Sequence, residues 1–512
     1  MKHYALRVTA LFLALTLLLC GCQDTPPPTG DTNEGSGGGT NEGSGNTGDD
    51  KNDTGNEENK IVIDKTHPDY LRDVAVFGEL SYGEKTVAEQ RAEIRAAMEL
   101  AKNTTVEYTV HPYINGDARY PVDYEYRYIQ AITYDGLDMN GSKTSVFAYY
   151  GVPEGASAEE PVPAVVLIHG GGGHAYLEWV KHWNDLGYAA IATETTGEFP
   201  TYPGSCTDEY HQVGKTAYAF GEFFDPGEGY VLAPTRDSKT TFAKEVNGTY
   251  REVSESWAYH AMAAVILGHN VLRQDARVDS DRIGITGISW GGVLASMVIG
   301  YDNRFAFAMP VYGTAYLGEG RPFSDYGNEY VDALWGAAHN LHNATMPILW
   351  LAWLGDSFFC MDAYTASLNA TKDLNEKTTL SVRPDWTHSH QSAYLRDNHS
   401  VLFANSVCFG TTAPVTFEAQ PSGRTFDVKL RYEGVDPESI KTTLYYLRAP
   451  IRNSSEDDWQ TDTEMLYFDS FGGTDLLSGV ITDTGIYGYF VLLEYTLDGE
   501  QYVTSSGYVA LK

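Results

Sequence analysis

The sequence predicts an α/β fold, a mostly parallel eight-stranded sheet with helices on both faces, followed by an all-β, sandwich-like C-terminal domain. Three observations carry this. Apolar runs at 164–168 and 189–193 flank a helical pattern, as central parallel strands do when both sheet faces are covered. Gly287-Ile288-Ser289-Trp290-Gly291-Gly292 lies between an apolar strand (282–286) and an apolar helix (293–299). Beyond Thr411 the pattern changes to short strands separated by turn residues.

Taken in order, the chain begins with a targeting pattern. Lys2 and Arg7 precede an apolar run at 10–19 that is short for a membrane span. It ends Leu19-Cys20-Gly21-Cys22, which resembles a bacterial lipobox: residues 1–22 read as a lipoprotein signal peptide with Cys22 as the lipidated residue, Gly21 being the small residue before the cut. An ordinary secretion signal with two incidental cysteines is the alternative. Either way the protein is exported. The lipobox reading places it outside the cytoplasm, held to the membrane of the cell envelope by acyl chains. Residues 23–60 are Gly, Ser, Thr, Asn and acidic residues around Pro26-Pro27-Pro28, too polar to bury a core, and read as a disordered linker.

Residues 61–410 form the α/β domain with an N-terminal extension, and 411–512 the β domain. The extension carries a helix opened by a capping box, Thr86-Val87-Ala88-Glu89, with Ile94, Ala97, Met98 and Ala101 on its apolar stripe. Alternating strands at 124–132 and 144–150 come first, then the apolar third strand (164–168), a helix (176–186) and the fourth strand (189–193). Residues 196–252, rich in Gly, Tyr, Phe and Pro, are too long for a plain loop and read as a substrate lid. A helix at 257–272 leads to the strand before Ser289. Strands six to eight fall at 305–311, 346–352 and 380–383, and a closing helix at 393–407. In the β domain, strands fall at 426–432, 442–446, 489–495 and 508–511.

The 512 residues, 42% hydrophobic and 20% charged, suffice for two or three domains. A net charge of -34 repels phosphates, which argues against nucleic acid as a partner. Thirty-six tyrosines exceed what packing needs and offer stacking faces for sugar rings. Cys206, Cys360 and Cys408 are an odd set after export; spacing leaves a Cys360–Cys408 pair open. No cluster has zinc-ligand spacing, and no cofactor is indicated.

Strand, Gly-x-Ser-x-Gly, helix is the context of a nucleophile elbow, where a strained turn projects the serine at the carboxyl end of the sheet. Ser289 is therefore the candidate nucleophile. A nucleophilic serine needs a base, an acid that orients the base, and donors for the oxyanion. His169-Gly170-Gly171-Gly172-Gly173 follows the third strand and nominates Gly171 or Gly172, with Trp290, as N–H donors. The acid belongs after the seventh strand, where Asp356 is preferred and Asp362 competes. The base belongs after the eighth, where Thr387-His388-Ser389-His390 offers two histidines. The small residue before it favours His390, with His388 the alternative.

These stretches together, across residues 124–410, resemble the α/β-hydrolases, close to the acetyl xylan esterase and dienelactone hydrolase group. The resemblance rests on Val165-Val166-Leu167-Ile168-His169-Gly170-Gly171-Gly172, on Asp281-Arg282-Ile283-Gly284-Ile285-Thr286-Gly287-Ile288-Ser289-Trp290-Gly291-Gly292, on Asp302-Asn303-Arg304-Phe305, and on His388-Ser389-His390-Gln391. It implies metal-free hydrolysis of small acyl esters, often acetyl groups on plant polysaccharide such as xylan, so a carbohydrate ester is the expected substrate. The chain departs from the group at Gly355-Asp356-Ser357-Phe358-Phe359-Cys360, where relatives tend to carry Asn-Asp and a proline. Two other readings stand beside it. One is a serine peptidase related to the prolyl oligopeptidases, against which the short N-terminal portion lacks room for the usual propeller. The other is a glycan-binding surface lipoprotein that has lost catalysis.

Overall fold

The computed structural model describes residues 63–111, 128–171, 173–196, 229–231, 233–234, 242, 250–317, 329–388, 398–451 and 455–512. The lipobox with Cys22, the linker, Gly172, Cys206, His390 and nearly all of the expected lid lie outside the described residues.

Among the described residues the main run of the α/β sheet has nine strands, with the short Tyr230–Val231 pairing off it on β3: β1 (Tyr108–His111), β2 (Ile129–Asp135), β3 (Lys143–Gly151), β4 (Val162–Ile168), β5 (Ala189–Thr193), β6 (Val278–Ile288), β7 (Phe307–Val311), β8 (Leu349–Trp353) and β9 (Thr379–Arg383). Their spatial order is β1-β2-β3-β5-β4-β6-β7-β8-β9. From β5 to β9 every pairing is parallel, and β1 to β3 join antiparallel. The eight expected strands are β2 to β9; β1 adds an edge that the sequence did not signal. This is the α/β-hydrolase arrangement, with β4 and β5 swapped in space relative to their chain order. The reason for the parallel centre is visible in the burial: Ala164, Val165, Val166, Leu167 and Ile168 are all inaccessible, as a strand covered on both faces requires.

Helices pack on the sheet: α1 (Pro68–Phe77), α2 (Val87–Asn103), α3 (Leu177–Asp185), α4 (Trp257–Gln274), α5 (Trp290–Val298), α6 (Glu329–Trp335), α7 (Met361–Thr371) and α8 (Asn398–Cys408). The capping box at Thr86 and Glu89 forms in both directions, and Ile94, Ala97, Met98 and Ala101 are buried to the last. The extension is anchored by Arg91, wholly buried, which donates to Ala333 O and, at 2.8 Å, to Asn340 Oδ1.

Among the described residues the C-terminal strands are β10 (Thr416–Phe417), β11 (Thr425–Arg431), β12 (Lys441–Leu447), β13 (Gln460–Asp462), β14 (Leu466–Asp469), β15 (Leu476–Val480), β16 (Gly488–Leu497), β17 (Glu500–Ser505) and β18 (Val509–Ala510), the last paired with β16. A small antiparallel sheet, β10-β11-β15-β14, encloses a second core with β12 and β16. Phe426, Val428 and Leu430 point into that core while Thr425, Asp427 and Lys429 face out, the period-two pattern of a half-covered strand. The β domain is not detached from the α/β sheet: β13-β12-β16-β17 continues that sheet beyond β9. The joint is antiparallel at Leu380 and Ser505, reinforced by Ser381 Oγ donating to Val503 O at 2.6 Å. No sequence signal marked that joint, because nothing in β9 distinguishes a last strand from one with a further neighbour.

Candidate active site

β6 ends at Ile288 and α5 begins at Trp290, so one residue makes the turn. Ser289 adopts φ 57° and ψ -116°, a conformation that side-chain-bearing residues avoid. Its backbone N–H donates to Val311 O at 2.8 Å, which fastens the elbow to the end of β7. The flanking glycines are needed for close approach. A Cβ on Gly291 would collide with the carbonyl oxygens of Ile168 and His169, and one on Gly287 with Gly291 O. The start of α5 therefore lies directly against the end of β4, which brings Trp290 and the glycine turn after β4 to one corner. Gly171 is described on that turn; Gly172 lies outside the described residues. Ser289 is the N-cap of α5, so the partial positive charge of the helix N-terminus falls where negative charge would develop.

Ser289 Oγ is 2.9 Å from His388 Nε2, and His388 Nδ1 is 3.0 Å from Asp356 Oδ2. Asp356 follows β8, and its side chain is completely buried. Its other oxygen accepts from the backbone N–H groups of Phe358, at 2.8 Å, and Phe359, at 3.2 Å. The carboxylate is thereby fixed, with one oxygen left for an imidazole. The His388 ring lies among Phe358, Tyr312 and Phe359, with centroids 4.9, 5.1 and 6.2 Å away. Below this group, burial and then the negative charge of Asp356 push the Tyr364 hydroxyl well above its ordinary range, so it stays protonated.

The histidine preferred from the sequence is thus corrected: the one that meets both Ser289 and Asp356 is His388. The cue was a small residue before the histidine, and Thr387 satisfies it about as well as Ser389 does. Of the two acids, Asp356 reaches the histidine. Asp362 lies in the first turn of α7, where its Oδ1 accepts from Ala363 N at 3.0 Å. Cys360 and Cys408 are both buried thiols that form no disulfide with each other. Among the described residues no group of three or more potential metal ligands occurs.

Sequence reasoning missed Tyr312 and Glu194. Tyr312 is fully buried at φ 48°, a backbone state with no signature in Val-Tyr-Gly. Glu194 had a legible signal, a carboxylate ending an otherwise apolar strand beside His169 in the sheet order.

Asp356→Asn is expected to lower kcat about 10⁴-fold with KM little changed, because the amide presents the wrong hydrogen-bonding partner to His388 Nδ1. Asp362→Asn is expected to stay within severalfold of wild type. Steady-state kinetics on p-nitrophenyl acetate checks both, and the reverse ranking would overturn the assignment of the acid.

Residues 248–393 match the model of the prolyl oligopeptidase family. Among solved structures, an acetyl xylan esterase from Paenibacillus sp. R4 is 17% identical, with 66% of this chain and 99% of that one covered and a TM-score of 0.42. Acetyl xylan esterase 1 from Thermoanaerobacterium sp. JW/SL YS485 is 13% identical over 66% and 98%, with a TM-score of 0.43. An acylaminoacyl peptidase from Pyrococcus horikoshii is 17% identical over 55% of this chain and 42% of that one, with a TM-score of 0.37. No curated protein matches the chain. The mixed parallel and antiparallel sheet with its flanking helices is α/β-hydrolase-like, and the stretch that the family model matches contains Ser289, Asp356 and His388.

Proposed function

We propose that the protein hydrolyses acyl substrates through a covalent intermediate on Ser289. One observation carries this reading: the unbroken hydrogen-bond chain Ser289–His388–Asp356 on a strained turn, with links of 2.9 and 3.0 Å. Ser289 Oγ attacks the substrate carbonyl while His388 Nε2 takes its proton. Backbone N–H groups at Trp290 and Gly171 receive the oxyanion. His388 then returns the proton to the leaving group, and water repeats the sequence to free the acid.

Of the finer readings, a peptidase-like activity is supported best, because the matched stretch 248–393 contains Ser289, Asp356 and His388. Removal of acetyl or other small acyl groups from a plant polysaccharide such as xylan is the second reading. What supports it is the resemblance of the glycine turn after β4 and of the elbow sequence to the acetyl xylan esterase group. A silent glycan-binding protein would have no need of an assembled triad. The proposal also keeps the protein outside the cytoplasm, attached through lipid on Cys22; absence of palmitate from the expressed chain would remove that part.

The test is parallel turnover of a fluorogenic prolyl peptide, p-nitrophenyl acetate and acetylated xylan by the full chain. Peptide cleavage is the expected result. Acetate release from xylan without peptide cleavage transfers the assignment to the second reading. No turnover of any of the three would sink the hydrolase reading.

A further inference from the structure

Directly below the glycine turn lies a buried polar cluster that the triad does not use. His169, the residue after β4, is 2% exposed, and Glu194, the residue after β5, is 3% exposed. His169 Nε2 is 2.9 Å from Glu194 Oε1, and its Nδ1 is 2.8 Å from Gly170 O. The same Nε2 is met by Thr195 N at 3.1 Å and Thr195 Oγ1 at 3.0 Å, which ties the ring to the chain leaving β5 as well. The rest of the carboxylate is fully occupied. Oε1 accepts from Thr195 N at 3.0 Å and from Thr196 N and Oγ1 at 3.0 and 2.8 Å, and Oε2 accepts from Ala175 N at 3.0 Å. Burial alone would raise the Glu194 pKa, but His169 and these donors outweigh it and hold the group at about 2.

The placement of these bonds gives the cluster its meaning. His169 and Ala175 bracket the turn that carries Gly171, so one carboxylate grips both ends of that turn. The same carboxylate fixes Thr195 and Thr196, where the chain leaves β5 for the stretch expected to form the lid. The His169 carbonyl oxygen in turn lies beside Gly291 at the start of α5, where a Cβ would collide with it.

We propose that Glu194 and His169 act as a pair of positioning residues for the oxyanion site: the carboxylate staples the glycine turn at both ends, and the imidazole ring links that turn to the end of β5. Neither residue touches the reacting atoms. The pair is needed because a glycine turn has no side chains of its own to fix it, and an oxyanion donor displaced by an ångström loses much of its effect. This inference rests on the acyl-enzyme reading above.

The test uses the full chain as wild type, Glu194→Gln, His169→Gln, the double variant and the milder Thr196→Val. Active sites are counted by reaction with diethyl p-nitrophenyl phosphate run to completion, so unfolded protein does not enter the rate. Expected per titrated site is a fall in kcat on p-nitrophenyl acetate of about 10²-fold for each single variant, with KM within about threefold. The double variant is expected to be no slower than the slower single one, as two residues acting as a unit behave. Thr196→Val, which removes one donor to the carboxylate, is expected to lose severalfold in kcat only. Wild-type kcat per titrated site in the Gln variants would overturn the proposal, as would losses that multiply in the double variant. If the wild type itself gives no titratable serine, the acyl-enzyme reading falls first and takes this inference with it.

Discussion

Ser289→Ala is expected to lower turnover by about 10⁵–10⁶-fold while leaving the fold intact. The effect is large because nothing else at the elbow offers a nucleophilic oxygen to the His388 imidazole, which sits 2.9 Å from Oγ. The fold survives because the side chain is half-buried and carries no packing load, and because alanine at φ 57° suffers the same strain as serine. Ser289→Gly separates the two properties further. Glycine accepts this backbone conformation freely, so the variant is expected to be equally inactive yet to melt at a higher temperature, by relief of about 1 kcal/mol or more. Kinetics on p-nitrophenyl acetate with thermal unfolding of all three proteins reads both effects. Substantial activity in Ser289→Ala would remove the nucleophile, and with it the proposed mechanism. A lower melting temperature for Ser289→Gly would show that the turn is not strained.

That strain also explains why the elbow was legible in the sequence. A residue type at an unfavourable φ, between glycines that must admit a strand, a helix and the end of β4, leaves few ways to write the motif. The central strands were legible for a similar reason: full burial on both faces forces an unbroken apolar run, as in β4 and β5. The joint between β9 and β17 was not legible, because antiparallel edge pairing is specified by backbone groups that every sequence has. Tyr312 was hidden for a different reason. Its role comes from where the end of β7 points its ring, against His388, and that direction depends on φ 48°, not on residue type. Glu194 lay within reach of inspection. A charge at the end of an apolar strand must find partners, and the sheet order places His169 beside it.

His388→Ala is expected to match Ser289→Ala in severity, whereas His390→Ala is expected to keep activity within about tenfold of wild type. The sequence could only rank these two, since both follow β9 in the correct chain order and both follow a small residue. Geometry decides between them through Asp356. One of its oxygens is already held by the backbone N–H groups of Phe358 and Phe359, and the other is 3.0 Å from His388 Nδ1. A second imidazole has no carboxylate oxygen left to orient it, and an imidazole without that partner is an unaimed base. The aromatic surround adds to the preference: Tyr312, Phe358 and Phe359 enclose the His388 ring and hold its Nε2 on the serine. Initial rates on p-nitrophenyl acetate, normalised to folded protein, rank the two variants. A silent His390→Ala beside an active His388→Ala would reverse the assignment. Since Ser289 and His388 pass a single proton between them, the double variant Ser289→Ala/His388→Ala is expected to be no slower than either single one. A further large loss in the double variant would mean that the two groups act in separate steps.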